Sequence, residues 1–217
     1  NMKLLRYAAI FCWFGMSLFA ISVGFAAPVV PAATPSTIAV NPAPPVIGSE
    51  TAILMVAGTK QILYEKDSHK IMYPASTTKM MTLITALKRA KLDETVVVAP
   101  AAVGIEGSSL ELRMLDRLSL RELLFGLMLA SGNDAAHAVA EHVGRGSYKQ
   151  FIAWMNEDAE KIGALRTHFS NPHGLPDPIN HFTTAYDLAM IADAGFKITG
   201  FEQFVAQPYH TVMFQNR

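Results

Sequence analysis

Along the chain the spacing of apolar positions changes several times, and each change marks an element. Thr51 to Val56 and Gln61 to Glu65 are short β-prone runs separated by Ala57-Gly58-Thr59-Lys60, the pattern of a hairpin. The next run, Met80-Met81-Thr82-Leu83-Ile84-Thr85-Ala86-Leu87, is apolar on most faces and predicts a central, buried helix from Ser76 to about Ala90. A Leu92-Asp93 turn leads to a strand over Thr95 to Val98 and a loop over Ala101 to Ser109. Ser119-Leu120-Arg121-Glu122 and Ser147-Tyr148-Lys149-Gln150 are capping boxes, each of which opens a helix. The first helix carries Leu123, Leu124, Leu127, Met128 and Leu129 and breaks at Ser131-Gly132-Asn133; the second has a stripe of Phe151, Met155, Ala159 and Ile162 and closes at Gly163. Another helix lies between them, from Ala135 to Val143. Thr167 to Ser170 is a short strand, Asn171-Pro172-His173-Gly174-Leu175-Pro176 a turn-rich loop, and Thr184 caps a helix over Ala185 to Ala194. Helices set beside a hairpin make an α+β domain.

Ahead of these elements, residues 1–27 have the form of an export signal. A basic segment from Lys3 to Arg6 is followed by an uncharged apolar stretch from Tyr7 to Phe25 and by Ala26-Ala27. The stretch is also near the length of a membrane-spanning anchor, which is the alternative. Residues 28–48 are uncharged up to Ser49, with six prolines at 28, 31, 35, 42, 44 and 45, and read as an extended tether. The folded domain is expected over residues 49–217.

Charge is balanced at 18 basic and 18 acidic residues, which leaves no electrostatic case for binding nucleic acid. The only cysteine, Cys12, lies in the signal, so no intrachain disulfide can form. An exported protein that does without bridges fits both facts.

The candidate chemistry begins at Ser76 and Lys79, one helical turn apart and so on one face. A serine hydroxyl needs a base within reach. A lysine can serve when an apolar setting and the positive end of a helix lower its pKa, and the free N–H groups of that end can receive an oxyanion. Roughly one S-x-x-K is expected by chance in a chain of this size, so the pair alone proves little. The corner at Ser131-Gly132-Asn133 supplies a second hydroxyl and a carboxamide. Set against the first pair, Ser131 could relay a proton to a leaving amine while Asn133 steadies Lys79 and a substrate amide.

Pro74-Ala75-Ser76-Thr77-Thr78-Lys79 followed 55 positions later by Ser131-Gly132-Asn133-Asp134-Ala135-Ala136 resembles the penicillin-binding serine enzymes, specifically the low-molecular-mass D-alanyl-D-alanine carboxypeptidases. Leu63-Tyr64-Glu65-Lys66, Gly107-Ser108-Ser109, Glu141-His142-Val143 and the loop from Asn171 to Pro176 extend the likeness over about residues 50 to 195. The resemblance implies a β-lactamase/DD-peptidase-like fold, with a helical lobe and an antiparallel sheet. It implies catalytic Ser76, Lys79 and Ser131, substrate binding by Asn133, no cofactor and no metal. The substrate would be a peptidoglycan stem peptide and the covalent inhibitors β-lactam antibiotics, with the enzyme working in the cell envelope.

The family's third element, Lys-Thr-Gly on an edge strand, is absent. Lys197-Ile198-Thr199-Gly200 has an inserted residue and His210-Thr211-Val212 lacks the glycine. Leu115-Asp116 stands where related sequences turn at a glycine. The chain reaches Arg217 before the later sheet strands, so it is expected to be the N-terminal part of a catalytic domain, with weak stability and activity alone. A C-terminal membrane anchor would lie beyond it. Two rivals follow: a non-catalytic envelope module that binds peptidoglycan or β-lactam, and a metal-dependent peptidase built from His168, His173, His181 and Asp177. The last group lacks the helical spacing of a metal motif.

Overall fold

The computed structural model describes residues 45–217. The expected signal, and all but the end of the expected tether, lie outside the described residues.

Strand β1 (Ala52–Met55) pairs antiparallel with β2 (Ile62–Lys66), setting Leu54 opposite Tyr64 and, after a bulge, Met55 opposite Ile62. The hairpin turn is tied down from a distance, since the Gly58 N–H donates to Asp193 Oδ1 at 2.7 Å. A 3-10 turn over Ala75–Thr78 then feeds helix α1 (Lys79–Leu87). Strands β3 (Thr95–Val97) and β4 (Arg117–Ser119) form a second antiparallel pair, Val96 facing Leu118. Helices α2 (Leu120–Leu129), α3 (Asn133–Val143), α4 (Tyr148–Ile162), α5 (Ala185–Gly195) and α6 (Phe201–Val205) complete the order.

Helix α1 is the axis of the helical lobe. Met81 through Ala86 are all buried, and α2 to α6 each pack against it. Leu123, Leu124 and Leu127 of α2, Ala136 and Val139 of α3, Phe151 and Met155 of α4 and Phe204 of α6 share one core with it. Each large side chain fully withdrawn from water there contributes about 1.5–3 kcal/mol. This is why a sequence apolar on most faces can be a single helix: it has neighbours on most sides.

The caps read from sequence all form. Ser119, Ser147 and Thr184 accept from the backbone N–H of Glu122, Gln150 and Asp187, and Gly163 ends α4 in the left-handed region at φ 92°. Four expectations change. The helix at Ser76 starts as a 3-10 turn and its α-helical part ends at Leu87, because Lys88 to Ala90 tighten into a last turn on Ala86 and Ile84. Ser119 ends strand β4 (Arg117–Ser119) as well as opening a helix, and only its helix-opening role is expected from the sequence. Thr167 to Ser170 makes only a single bridge, His168 with Phe182. Helix α6 is too short for periodicity to reveal and is held by its two buried rings, Phe201 and Phe204.

Candidate active site

Three segments meet at the start of α1. The first is the nucleophile turn itself, where Ala75 takes φ 46°, a strained value for a residue with a Cβ. The loop after α4 closes on it from the other side. Gly174 has φ +92°, and a Cβ there would lie 1.8 Å from the Ala75 carbonyl oxygen, so no other residue fits. Asn171 folds that loop: its Oδ1 accepts from the N–H of Gly174 at 2.7 Å and of His173 at 3.2 Å, while its Nδ2 donates to the Leu175 carbonyl at 2.9 Å. The third segment is the α2–α3 corner, where Ser131 sits at φ 54° and Asn133 opens α3.

Lys79 is 2% exposed. The solvated first-turn lysine that an isolated S-x-x-K would present is not what folds here. Its Nζ lies 2.7 Å from Asn133 Oδ1, 2.9 Å from the His173 carbonyl oxygen and 3.2 Å from Ser76 Oγ. Two of these partners can only accept, so they take two N–H bonds. On a neutral amine the lone pair is then left facing the third partner, and Ser76 Oγ–H can donate to it. Burial pushes the Lys79 pKa down to about 8, against the opposing pull of the Asp134 carboxylate. At pH 7 about a tenth of the molecules hold the free base.

Asn133 cannot turn its amide round, because Nδ2 donates to the Glu106 carbonyl at 2.7 Å. Asp134 anchors the same loop, accepting from Ser109 Oγ at 2.7 Å and from the backbone N–H of Leu110 and Leu112 at 2.9 and 3.0 Å. At the turn, the Ser76 N–H has no acceptor among the described residues, which leaves it free for a developing oxyanion.

With this geometry in hand, likeness to known proteins becomes informative. A family profile described as D-alanyl-D-alanine carboxypeptidase matches residues 38–217. The chain belongs to this family. It is 33% identical over 161 residues to the D-alanyl-D-alanine carboxypeptidase DacF of Bacillus subtilis, covering 72% of this chain and 41% of the relative. It is 37% identical over 188 residues to DacD of Escherichia coli, covering 82% of this chain and 46% of the relative. The crystal structure of penicillin binding protein 6B from Escherichia coli superposes with a TM-score of 0.72 at 33% identity, over 80% of this chain and 59% of that one. The chain thus spans less than half the length of these two curated relatives.

Among the residues that the D-alanyl-D-alanine carboxypeptidase likeness picks out, Ser76, Lys79 and Asn133 are brought together. Ser131 is half-buried at the same corner, but its hydroxyl has no hydrogen-bond partner among the described residues. Sequence reasoning missed the third side of the site. The His173 carbonyl accepts a hydrogen bond from Lys79 Nζ, and the neighbouring Pro172 carbonyl accepts from Thr82 Oγ1 at 2.6 Å. The available signal was the run of turn formers at 171–176, which marks a fixed loop without saying where it docks. The four residues of the metal alternative are spent separately. His168 Nδ1 meets the Asn180 carbonyl, His173 Nδ1 accepts from the Leu175 N–H, Asp177 caps its own turn, and His181 bonds Thr78. No group of three metal-binding side chains converges among the described residues. A concavity of about 570 Å³ beside the hairpin is lined by Ile71, Tyr73 and Phe182 among others, and by none of the three reactive groups.

Proposed function

We propose that the protein is a serine-type D-alanyl-D-alanine carboxypeptidase of the cell envelope. Ser76 attacks the carbonyl between the two terminal D-alanines of a peptidoglycan stem peptide. The free amine of Lys79 takes the Oγ proton as the C–O bond forms, and the carbonyl electrons move onto an oxyanion held by the Ser76 N–H. Collapse of the tetrahedral intermediate breaks the C–N bond, and the leaving D-alanine takes a proton relayed through Ser131. Water then hydrolyses the ester and restores the serine. β-Lactam antibiotics would acylate the same hydroxyl through their strained amide and leave slowly. In this account residues 1–27 direct export, residues 28–48 hold the domain away from the membrane, and residues 49–217 are part of the catalytic domain.

The observation that carries the reading is the placement of Lys79: buried, paired with two obligate acceptors and aimed at Ser76 Oγ. The test is covalent labelling of the full-length protein by a fluorescent penicillin. Wild type is expected to take the label and Ser76→Ala to take none; persistent labelling of the variant refutes the assignment.

A further inference from the structure

One buried ring has no part in the chemistry above. His181 is 1% exposed and lies against the nucleophile turn. Its tautomer follows from its partners. The Ser170 N–H can only donate, and it points at Nδ1 from 3.1 Å, so Nδ1 carries the lone pair and the proton sits on Nε2. Nε2–H therefore donates to Thr78 Oγ1 at 2.8 Å. Thr78 is itself fully buried, and it is the last residue of the turn before Lys79.

The backbone on either side of His181 is held as firmly as the ring. Met72 and Thr183 exchange N–H···O bonds of 2.8 and 2.9 Å, and His168 and Phe182 exchange bonds of 2.9 and 3.0 Å. Segments 71–73, 181–183 and 168–170 are thereby joined side by side, and the turn carrying Ser76 leaves directly from the first of them. The Phe169 ring meets the imidazole edge-on at 5.7 Å between centroids and excludes water. A turn with a positive φ at Ala75 needs such outside restraint, since its own backbone does not favour the shape.

We infer that His181, through its bond to the Thr78 hydroxyl, is a positioning residue that sets the angle at which the turn presents Ser76 Oγ to Lys79 Nζ. The inference rests on Ser76 being the acylated nucleophile. Without the bond, the Thr78 hydroxyl is a buried polar group lacking its donor, and the turn can rotate to find another. A displacement of the order of 1 Å between nucleophile and base costs up to about 100-fold in rate, while the surface that first receives the ligand is left intact.

The experiment follows acylation of the full-length protein by a fluorescent penicillin and separates the dissociation constant of the initial complex from the limiting acylation rate constant. Folding is checked at the assay temperature by circular dichroism. Thr78→Val keeps the shape and removes the hydroxyl, His181→Asn removes the donor, and Thr78→Ser keeps the bond. Thr78→Val and His181→Asn are expected to lose roughly 10- to 100-fold in the rate constant, with the dissociation constant within about threefold of wild type, and Thr78→Ser to stay within about threefold in both. A Thr78→Val protein that is folded and acylates at the wild-type rate overturns the inference, as does an equal loss in Thr78→Ser. A wild-type protein that takes no label overturns the underlying reading of Ser76 instead.

Discussion

Lys79 faces two carbonyl oxygens that have no proton to give and one hydroxyl that does, and its behaviour with pH follows from that asymmetry. With the pKa depressed to about 8, the fold has shed a proton that the unfolded chain still holds up to about pH 10.5. Stability contributed by this site therefore rises with pH between those values. Replacing Lys79 by Ala is expected to lower the acylation rate constant about 10²- to 10⁴-fold, the usual worth of a positioned base, with the protein still folded by circular dichroism. Gly174 is the other residue with no substitute. Gly174→Ala combines a disfavoured φ with overlap onto the Ala75 carbonyl, so thermal melts should show a loss of roughly 2 kcal/mol or more, and penicillin labelling should fall with it. Ser76, Lys79 and Asn133 were all legible in the sequence as motif positions. The carbonyl of His173 was not, because a backbone oxygen has no residue-type signature; neither was the need for glycine at 174, which exists only once Ala75 lies beneath it.

At the scale of elements, α1 is clamped to α4 by charge as well as by apolar packing. Asp158 is fully buried on α4 and accepts from Arg89 Nη1 at 2.5 Å and Nη2 at 3.2 Å, from Thr85 Oγ1 at 3.1 Å and from Lys88. Burial alone would raise its pKa, but the bonds to Arg89 and Lys88 outweigh it and the net shift is downward. Asp158→Ala would leave Arg89 half-sequestered over Trp154, at 5.0 Å, without its counter-charge. We expect a cost of about 3 kcal/mol in urea unfolding, at the lower end for a broken buried pair because Lys88 can turn to water. Because the folded carboxylate titrates below its ordinary value, this stabilisation is present above about pH 4 and is lost as pH falls further. The helices with caps and stripes could be read directly: α2, α4 and α5 begin where Ser119, Ser147 and Thr184 place them, and α4 ends where Gly163 places it. Strand β4 and helix α6 could not. One is three residues long and the other five, and both owe their form to partners distant in sequence, β3 for the strand and the α2 face for the helix.

For the molecule as a whole, the loop that completes the site is also where acid is expected to act. His173 and His181 are both buried, and burial is the first cause that lowers each pKa to about 4. Their sign is opposite to that of a histidine paired with a carboxylate. The unfolded chain takes up protons below about pH 6.5 while the fold refuses them, so stability is full above that value and drains as pH falls toward 4. Each histidine can contribute up to about 3 kcal/mol to this loss. Urea unfolding at pH 7 and at pH 4.5 should differ accordingly, and His181→Gln should flatten the difference. The same architecture carries the functional claim, since one turn and the buried helix it feeds hold Ser76 and Lys79 while a corner and a loop from elsewhere in the chain shut the lysine away from water and so lower its pKa. The measurement that reaches this most directly is the limiting rate of acylation of the full-length protein by a fluorescent penicillin from pH 6 to pH 9.5, with the adduct mapped by mass spectrometry. A rate that climbs about tenfold per pH unit and levels near pH 8, with the adduct on Ser76, is the predicted result; a rate that does not vary with pH, or an adduct on any other residue, contradicts it.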